Sequence, residues 1–303
     1  MMNIENKYFQ WIHTIVDFYN RCIMKIRHET LIFNVRHSKI SALNNSMDAN
    51  ESKQKIVVSL TSFPARFQEL SLCLKSLFRQ SVAPDHIILW LGSDSIKSNY
   101  KDVFRKYINL GLEIYIDEKN NYKSHKKYLY VFKKYPDALI ITVDDDLVYP
   151  KNMIETLLKG HKLYPNAVIA RRVHKIIWNE NGEIKPYLQW EGECENVKKP
   201  SHSLVATTGA GTLFPPNSLY KDYCNIDLIS QMAPTADDIW LKFMELLQGT
   251  KVVWTENNMK MPASLKSSHI AELAIGNCNN GENDLFVNQL MTYYNLTKKD
   301  FDD

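Results

Sequence analysis

Two periodicities divide the chain. From Ile4 to Ile26, apolar and aromatic residues recur at helical spacing: Ile4, Tyr8, Trp11, Ile12, Ile15, Tyr19, Ile23 and Ile26. That spacing predicts an amphipathic helix, with Arg21, Lys25 and Arg27 near its end. The polar stretch from Ser38 to Lys53 reads as a linker. From Lys55 onward, short apolar runs alternate with helical patterns. Ile56–Leu60, His86–Leu91, Leu112–Ile116 and Ala138–Val143 read as strands. Between them, Leu70, Leu74, Leu77 and Phe78 mark a helix, Lys101–Asn109 a second, and Lys123–Tyr135 a third that Pro136 stops.

Strand–helix alternation predicts an α/β fold with a mostly parallel sheet and helices on both faces. In such sheets ligands bind beyond the carboxyl ends of the strands. Thr61–Arg66, Ser93–Ser95 and Asp144–Asp146 all follow strands, so this topology would gather them in one crevice. Past Pro150 the pattern loosens. Asn152–Leu163 reads as a helix, Ala167–Val173 as a strand and Ile176–Trp190 as a hairpin region. Ala206–Pro216 is rich in glycine and proline. Asp237–Gln248 reads as a helix and Lys251–Trp254 as a strand. Met259–Gly281 reads as a long loop and Asn283–Tyr294 as a closing helix. No internal repeat is present.

Length and charge narrow the picture only slightly. The 303 residues suit one large domain with additions. A net charge of +3 tolerates an anionic substrate but is no nucleic-acid footprint. Cys22, Cys73, Cys194, Cys224 and Cys278 are odd in number and show no paired spacing, which favours a reducing compartment over a disulfide framework. No secretory leader and no bilayer-spanning run are evident. The expectation is a cytoplasmic protein. Its N-terminal helix docks on protein or, alternatively, makes a peripheral contact with the inner membrane face through residues 4–27.

The strongest chemistry lies in ITVDDDLVYP, Ile141–Pro150. Three adjacent carboxylates repel one another, and a strand end gains nothing from them. A divalent cation relieves that cost and bridges them to phosphates. Hard oxygen ligands suit Mg²⁺ or Mn²⁺. A plainer account is a solvated acidic turn, but the apolar strand before it favours the metal. Ser59–Phe67 follows the first strand. There Thr61 offers a hydroxyl, Phe63 a stacking face and Arg66 a fork for carboxylate or phosphate, although Pro64 and Arg66 could equally shape a turn and salt-bridge the helix start. In APTADDIWLKFM, Asp237 and Asp238 open an amphipathic helix. Acids at that position cap a helix as readily as they serve a general base, and spacing leaves the two open. Glycines 209 and 211 permit close backbone approach, or merely a tight turn. Trp178, Tyr187 and Trp190 could stack on sugars, though such rings are more often core. Lys123 shares a helical face with Lys127 and could reach a diphosphate; a solvated face accounts for most of these lysines, Lys126 included. His125, Arg172, His174 and His269 are further candidates for phosphate or metal.

Taken together, Leu-Thr-Ser-Phe-Pro-x-Arg after a strand, the later Asp-Asp-Asp, Gly-Ala-Gly and Ala-Asp-Asp-Ile-Trp resemble bacterial GT-A glycosyltransferases, and most closely the family 2-like enzymes of surface polysaccharide synthesis. The resemblance runs from about Lys55 to Tyr294. It implies a GT-A (Rossmann-like) domain over residues 55–303, behind a helix and linker at 1–54. Residues 55–150 would form the nucleotide-sugar-binding half and 151–303 the acceptor half. By position, Asp146 would ligate the metal, with Asp144 and His269 considered beside it. Asp144 and Asp145 would hold ribose hydroxyls and metal-bound water. Thr61, Phe63, Arg66, Asp94 and Lys123 would line the donor site. Asp238 matches the catalytic base, although Asp237 stands where the family usually has Glu, so the choice between them stays open. Without the Gln-x-x-Arg-Trp stretch of processive synthases, transfer of one sugar is implied. The donor would be a nucleoside diphosphate sugar, expected to carry UDP, and the acceptor a glycan or glycolipid hydroxyl. Inversion is the expected outcome; a retaining enzyme of the same fold and a sugar nucleotidyltransferase are the alternatives. The latter class wants a glycine-rich loop after the first strand, and Ser59–Phe67 has no glycine.

Overall fold

The computed structural model describes residues 4–43, 54–255, 261–266 and 281–303. In chain order the elements are α1 (Ile4–Arg36), β1 (Ile56–Thr61), α2 (Phe67–Leu77), β2 (His86–Leu91), α3 (Tyr100–Val103), α4 (Arg105–Ile108), β3 (Leu112–Ile116), α5 (Lys126–Leu129), α6 (Val131–Lys134) and β4 (Leu139–Thr142). They continue with β5 (Leu147–Val148), α7 (Met153–Leu163), β6 (Val168–Ala170), β7 (Val173–Lys175), β8 (Leu204–Ala206), β9 (Thr212–Phe214), α8 (Ile226–Met232), α9 (Asp237–Gln248), β10 (Val252–Trp254), β11 (Ala263–Ser264) and α10 (Glu282–Tyr293).

Seven strands form one sheet in the order β10-β6-β9-β4-β1-β2-β3. Every neighbouring pair is parallel except those of β9, which runs antiparallel between β4 and β6. Side chains alternate across the strands and so feed two cores. Val57, Ile88 and Ile140 belong to one core, with α9 and α10. Val58, Leu60, Leu89 and Ile141 belong to the other, with α2 and α7. This is the mostly parallel α/β sheet with helices on both faces that the sequence predicts.

Helix α9 shows how local chemistry sets an element. Ile239, Trp240, Phe243, Met244 and Leu246 are buried. Burying each such side chain stabilises the fold by roughly 1.5–3 kcal/mol. Gly249 ends the helix at φ 76°, in the left-handed region, where a side chain would be strained. Truncating the fully buried Trp240 to alanine would cost about 3–5 kcal/mol.

Several boundaries differ from the sequence reading. The first helix runs on to Arg36, because Leu31, Ile32 and Val35 continue its packed face. The helix expected over Lys101–Asn109 breaks at Phe104 into α3 and α4, and Lys123–Tyr135 breaks into a 3-10 turn, α5 and α6. Ala167–Val173 splits into β6 and β7 around the buried Arg171. The glycine- and proline-rich stretch hides β9, a central strand. In the hairpin region, Trp178 and Ile184 bridge in antiparallel fashion. The loop expected over Met259–Gly281 lies largely outside the described residues, as do most of the linker and Cys278. The other four cysteines are free thiols.

Candidate active site

The carboxyl ends of β1, β2 and β4 share one edge of the sheet. Because β9 is reversed, the turn that precedes it, Thr207–Gly211, opens onto that same edge. The N-terminus of α9 reaches it too, and a network of short contacts ties these pieces together.

Each member of the acid triplet has its own surroundings. Asp145 points inward and is 5% exposed. The Ser62 hydroxyl donates to its Oδ2 at 2.5 Å and Arg66 Nη1 to its Oδ1 at 2.7 Å. Two protein donors therefore already engage this carboxylate. The same Arg66 nitrogen lies 3.0 Å from Asp146 Oδ2. Burial, and then the carboxylates of Asp144 and Asp145, push Asp146 up to about 7, with Arg66 opposing. Asp144 is the most open of the three. Lys127 Nζ donates to its Oδ1 at 2.8 Å. Its backbone N–H donates to the Tyr149 hydroxyl at 2.8 Å, and that hydroxyl donates to the Gly209 carbonyl at 2.6 Å. A Cβ on Gly209 would sit 1.7 Å from Asp144 Oδ2. The glycine that promised close approach to a ligand thus admits the protein's own carboxylate.

Lys127 is the hinge of the arrangement. It is 2% exposed and spans from Asp144 to Asp237 Oδ2, 2.9 Å away. Burial alone would lower its proton affinity, but Asp144, Asp237 and Asp238 reverse this and hold it charged. Burial pushes Asp237 up, and the charge and hydrogen bond of Lys127 overcome it, leaving Asp237 at about 2. Asp238 is half-buried. Thr208 N–H donates to its Oδ1 at 2.9 Å, and the Thr208 hydroxyl lies 2.6 Å from the same oxygen. That hydroxyl also lies 2.8 Å from Asp237 Oδ2, so its single proton serves one acid at a time. Burial and the neighbouring Asp237 raise Asp238 to about 6. Neither aspartate caps α9 in the usual sense: its N-cap is Ala236, which has no side-chain cap bond.

The other candidates divide. Phe63 is half-buried, with the Arg66 guanidinium 5.3 Å from its ring centroid. Thr61 spends its O–H on the Trp90 carbonyl at 2.8 Å, leaving only lone pairs to a ligand. Asp94 is exposed and accepts from Asn121 Nδ2 at 2.9 Å. The Asn121 carbonyl oxygen accepts from Lys126 Nζ, so Asp94, Asn121 and Lys126 form a second polar group beside the first. Burial lowers Lys126 to about 8, and Asp94 opposes this. Lys123 is exposed, at φ 49°, and makes no described ion pair with the acids. The buried lysines beside the acids are Lys126 and Lys127, which a solvated face had seemed to explain. Their signal was the run Tyr128-Leu129 directly after them, which commits that turn to the core. Ser62, Asn121, Tyr149 and Thr208 were not singled out either. His125 is fully buried: its Nε2–H donates to the Ala233 carbonyl at 2.8 Å and its Nδ1 accepts from the Tyr128 hydroxyl. Burial holds it near 4, neutral and structural. His269 lies outside the described residues. Trp190 is core, its Nε1 donating to the Lys185 carbonyl, and Trp178 packs on Phe301.

Among the described residues, no three His, Cys, Asp or Glu side chains converge as a cage for a metal. Mg²⁺ and Mn²⁺ do not require one, since they bind through one or two carboxylates plus substrate phosphates. Asp146 fits that role. It is a hard oxygen donor whose negative charge burial and its acidic neighbours disfavour even with Arg66 beside it, a cost that a divalent cation would relieve. Asp144, open to the crevice, is the second carboxylate within reach of such a site.

A model of Glycosyl transferase family 2 matches residues 62–221, from the Ser62 loop through β9. The chain belongs to this family. It is an enzyme, a glycosyltransferase, and both Asp144–Asp146 and Thr207–Gly211 fall inside the matched span. Among solved structures, it is similar to S. aureus TarS 1–349 in complex with UDP, at 12% identity and a TM-score of 0.48, over 80% of this chain and 72% of that one. It is also similar to CMP:2-keto-3-deoxy-manno-octonic acid synthetase complexed with CTP, at 10% identity and a TM-score of 0.40, over 67% and 90%. No curated protein matches the chain.

Proposed function

We propose that this family 2 glycosyltransferase moves one sugar from a nucleoside diphosphate sugar, UDP being the expected nucleotide, to a glycan or glycolipid hydroxyl in surface polysaccharide or lipopolysaccharide synthesis. Transfer inverts the anomeric carbon. The observation that carries this reading is Asp238: a half-buried carboxylate at about 6, joined through Thr208, Asp237 and Lys127 to Asp144. A base poised near neutrality accepts a proton without being a permanently spent anion.

Asp238 takes the acceptor hydroxyl proton as the acceptor oxygen bonds to the anomeric carbon. The bond from that carbon to the diphosphate oxygen breaks, and the electron pair leaves with the nucleoside diphosphate. Arg66 and Lys127 supply fixed positive charge near the triplet, where negative charge develops on the leaving group. Phe63, Asp94, Asn121 and Lys126 line the nucleotide side. Mn²⁺ or Mg²⁺, held by Asp146 with Asp144, would neutralise the departing diphosphate. The enzyme works in the cytoplasm, at the inner membrane face, with residues 4–27 in peripheral contact. The decisive experiment is hydrolysis of a panel of nucleotide sugars with Mn²⁺, followed by NMR of the transfer product. Turnover of a UDP-sugar with inversion is expected. Retention would remove Asp238 as base, and absence of any donor turnover would sink the reading.

A further inference from the structure

Among its described side chains, helix α1 has two apolar faces, and one of them is packed. Val35 is fully buried, and Leu31 and Ile32 lean on the same core. On the other side, Tyr19, Ile26 and Phe33 are 64%, 66% and 61% exposed. They fall at every seventh position, about two helical turns, and so form one stripe along the helix. Single exposed apolar residues are ordinary, but an aligned set of large ones marks an interaction surface.

The charge beside the stripe is one-sided. Lys25, Arg27 and Arg36 are exposed along the flanks of this stripe, with Glu29 the acid among them. The excess continues on the catalytic domain, where the helix ends. Lys75 Nζ donates to the Arg36 carbonyl at 2.6 Å. Burial, and then the charges of Lys106 and Arg79, push the Lys75 ammonium below its ordinary value, so these cations crowd one another.

We propose that the Tyr19-Ile26-Phe33 face of α1, together with the cations around Arg36 and Lys106, rests on an anionic lipid bilayer. The inference builds on the peripheral contact proposed above and gives it a face, a polarity and a partner surface beyond residues 4–27. Charge complementarity selects the occupant. An amphipathic helix lying in the interface buries its apolar stripe at the headgroup boundary while flanking cations meet lipid phosphates. A second copy on the same stripe would set the two rows of cations against each other, with only Glu29 to relieve them.

The test is flotation of the full chain with vesicles of phosphatidylcholine plus phosphatidylglycerol, and with phosphatidylcholine alone. Binding to the first and not the second is expected, weakening with added salt. Ile26→Asp with Phe33→Asp should lower binding at least about tenfold. Arg36→Glu with Lys106→Glu should lower it about fivefold per cation. All four positions are exposed, so unchanged thermal unfolding should show that the variants fold. Equal binding to neutral vesicles overturns the proposal. Unaltered binding by the Ile26/Phe33 variant also overturns it while leaving a peripheral contact through other residues. No binding by the parent sinks both. A dimer in sedimentation velocity that Ile26→Asp disperses would make a second copy the occupant. None of these outcomes depends on sugar transfer.

Discussion

The crevice holds two runs of neighbouring acids, one after β4 and one at the start of α9. Each run has one carboxylate that a cation holds at the shorter distance and a neighbour with raised proton affinity; in the first run the cation also touches that neighbour, and burial raises Asp145 as well. In the first, Arg66 holds Asp145 at 2.7 Å and Asp146 stands at about 7. In the second, Lys127 holds Asp237 at 2.9 Å and Asp238 stands at about 6. The cations differ in reach. The Arg66 fork stays within its own run, whereas the Lys127 ammonium crosses to Asp144 and so couples the two. Adjacent acids are thus told apart by how closely a cation holds each of them.

The largest effect should come from removing Asp146, the acid that Arg66 holds less closely. Asp146→Ala takes away the proposed metal ligand and no core volume. Metal-dependent donor turnover should fall by at least about a thousandfold, with cooperative unfolding kept. Normal turnover in this variant would end the metal assignment. Next comes the coupling cation. Lys127→Met strands two carboxylates against a buried methionine and should cost about 3–5 kcal/mol in denaturant unfolding. Adding Asp237→Asn should restore part of that loss; a fully additive double variant would show that the two do not interact.

The second run can be split by amides. Asp238→Asn should bind UDP with Mn²⁺ nearly as well as the parent and transfer sugar about a hundredfold more slowly or worse. Asp237→Asn is the control. If that variant loses transfer while Asp238→Asn stays active, the base is Asp237; if neither does, both acids are structural and retention becomes the better account. The smallest effect is a pH slope. A base at about 6 must be unprotonated to act, so transfer should plateau above about pH 7, halve near 6 and fall about tenfold by pH 5. A profile flat across that window would mean that another group sets the rate.

What the sequence revealed depended on how local the cause was. Strands β1, β2 and β4 were legible because each is an apolar run buried on both faces, and α9 because its period and Gly249 agree. Strand β9 was not. Three residues between Gly211 and Pro215 look like a turn, and only pairing with β4 and β6 makes them a strand. The acids announced themselves by repetition. Their cations did not, since Lys126 and Lys127 read as ordinary surface charges until α5 turns them inward. Arg66 was picked as a fork for carboxylate or phosphate, and it pairs with the carboxylates of Asp145 and Asp146.

The reversed strand also sets an order of events as the chain is made. Thr142 and its partner Thr212 are far apart in the sequence. Asp144 waits for Gly209, and Lys127 waits for Asp237, which is later still. While the chain is still being synthesised, the early strands can pair among themselves, but the acid triplet has neither its glycine wall nor the far end of its ammonium bridge. Contacts of such long range form late and slowly. A nascent chain stalled before β9 would therefore carry exposed acids, a lysine without its second counter-ion and an open edge on β4, the state in which a chaperone would have most to hold.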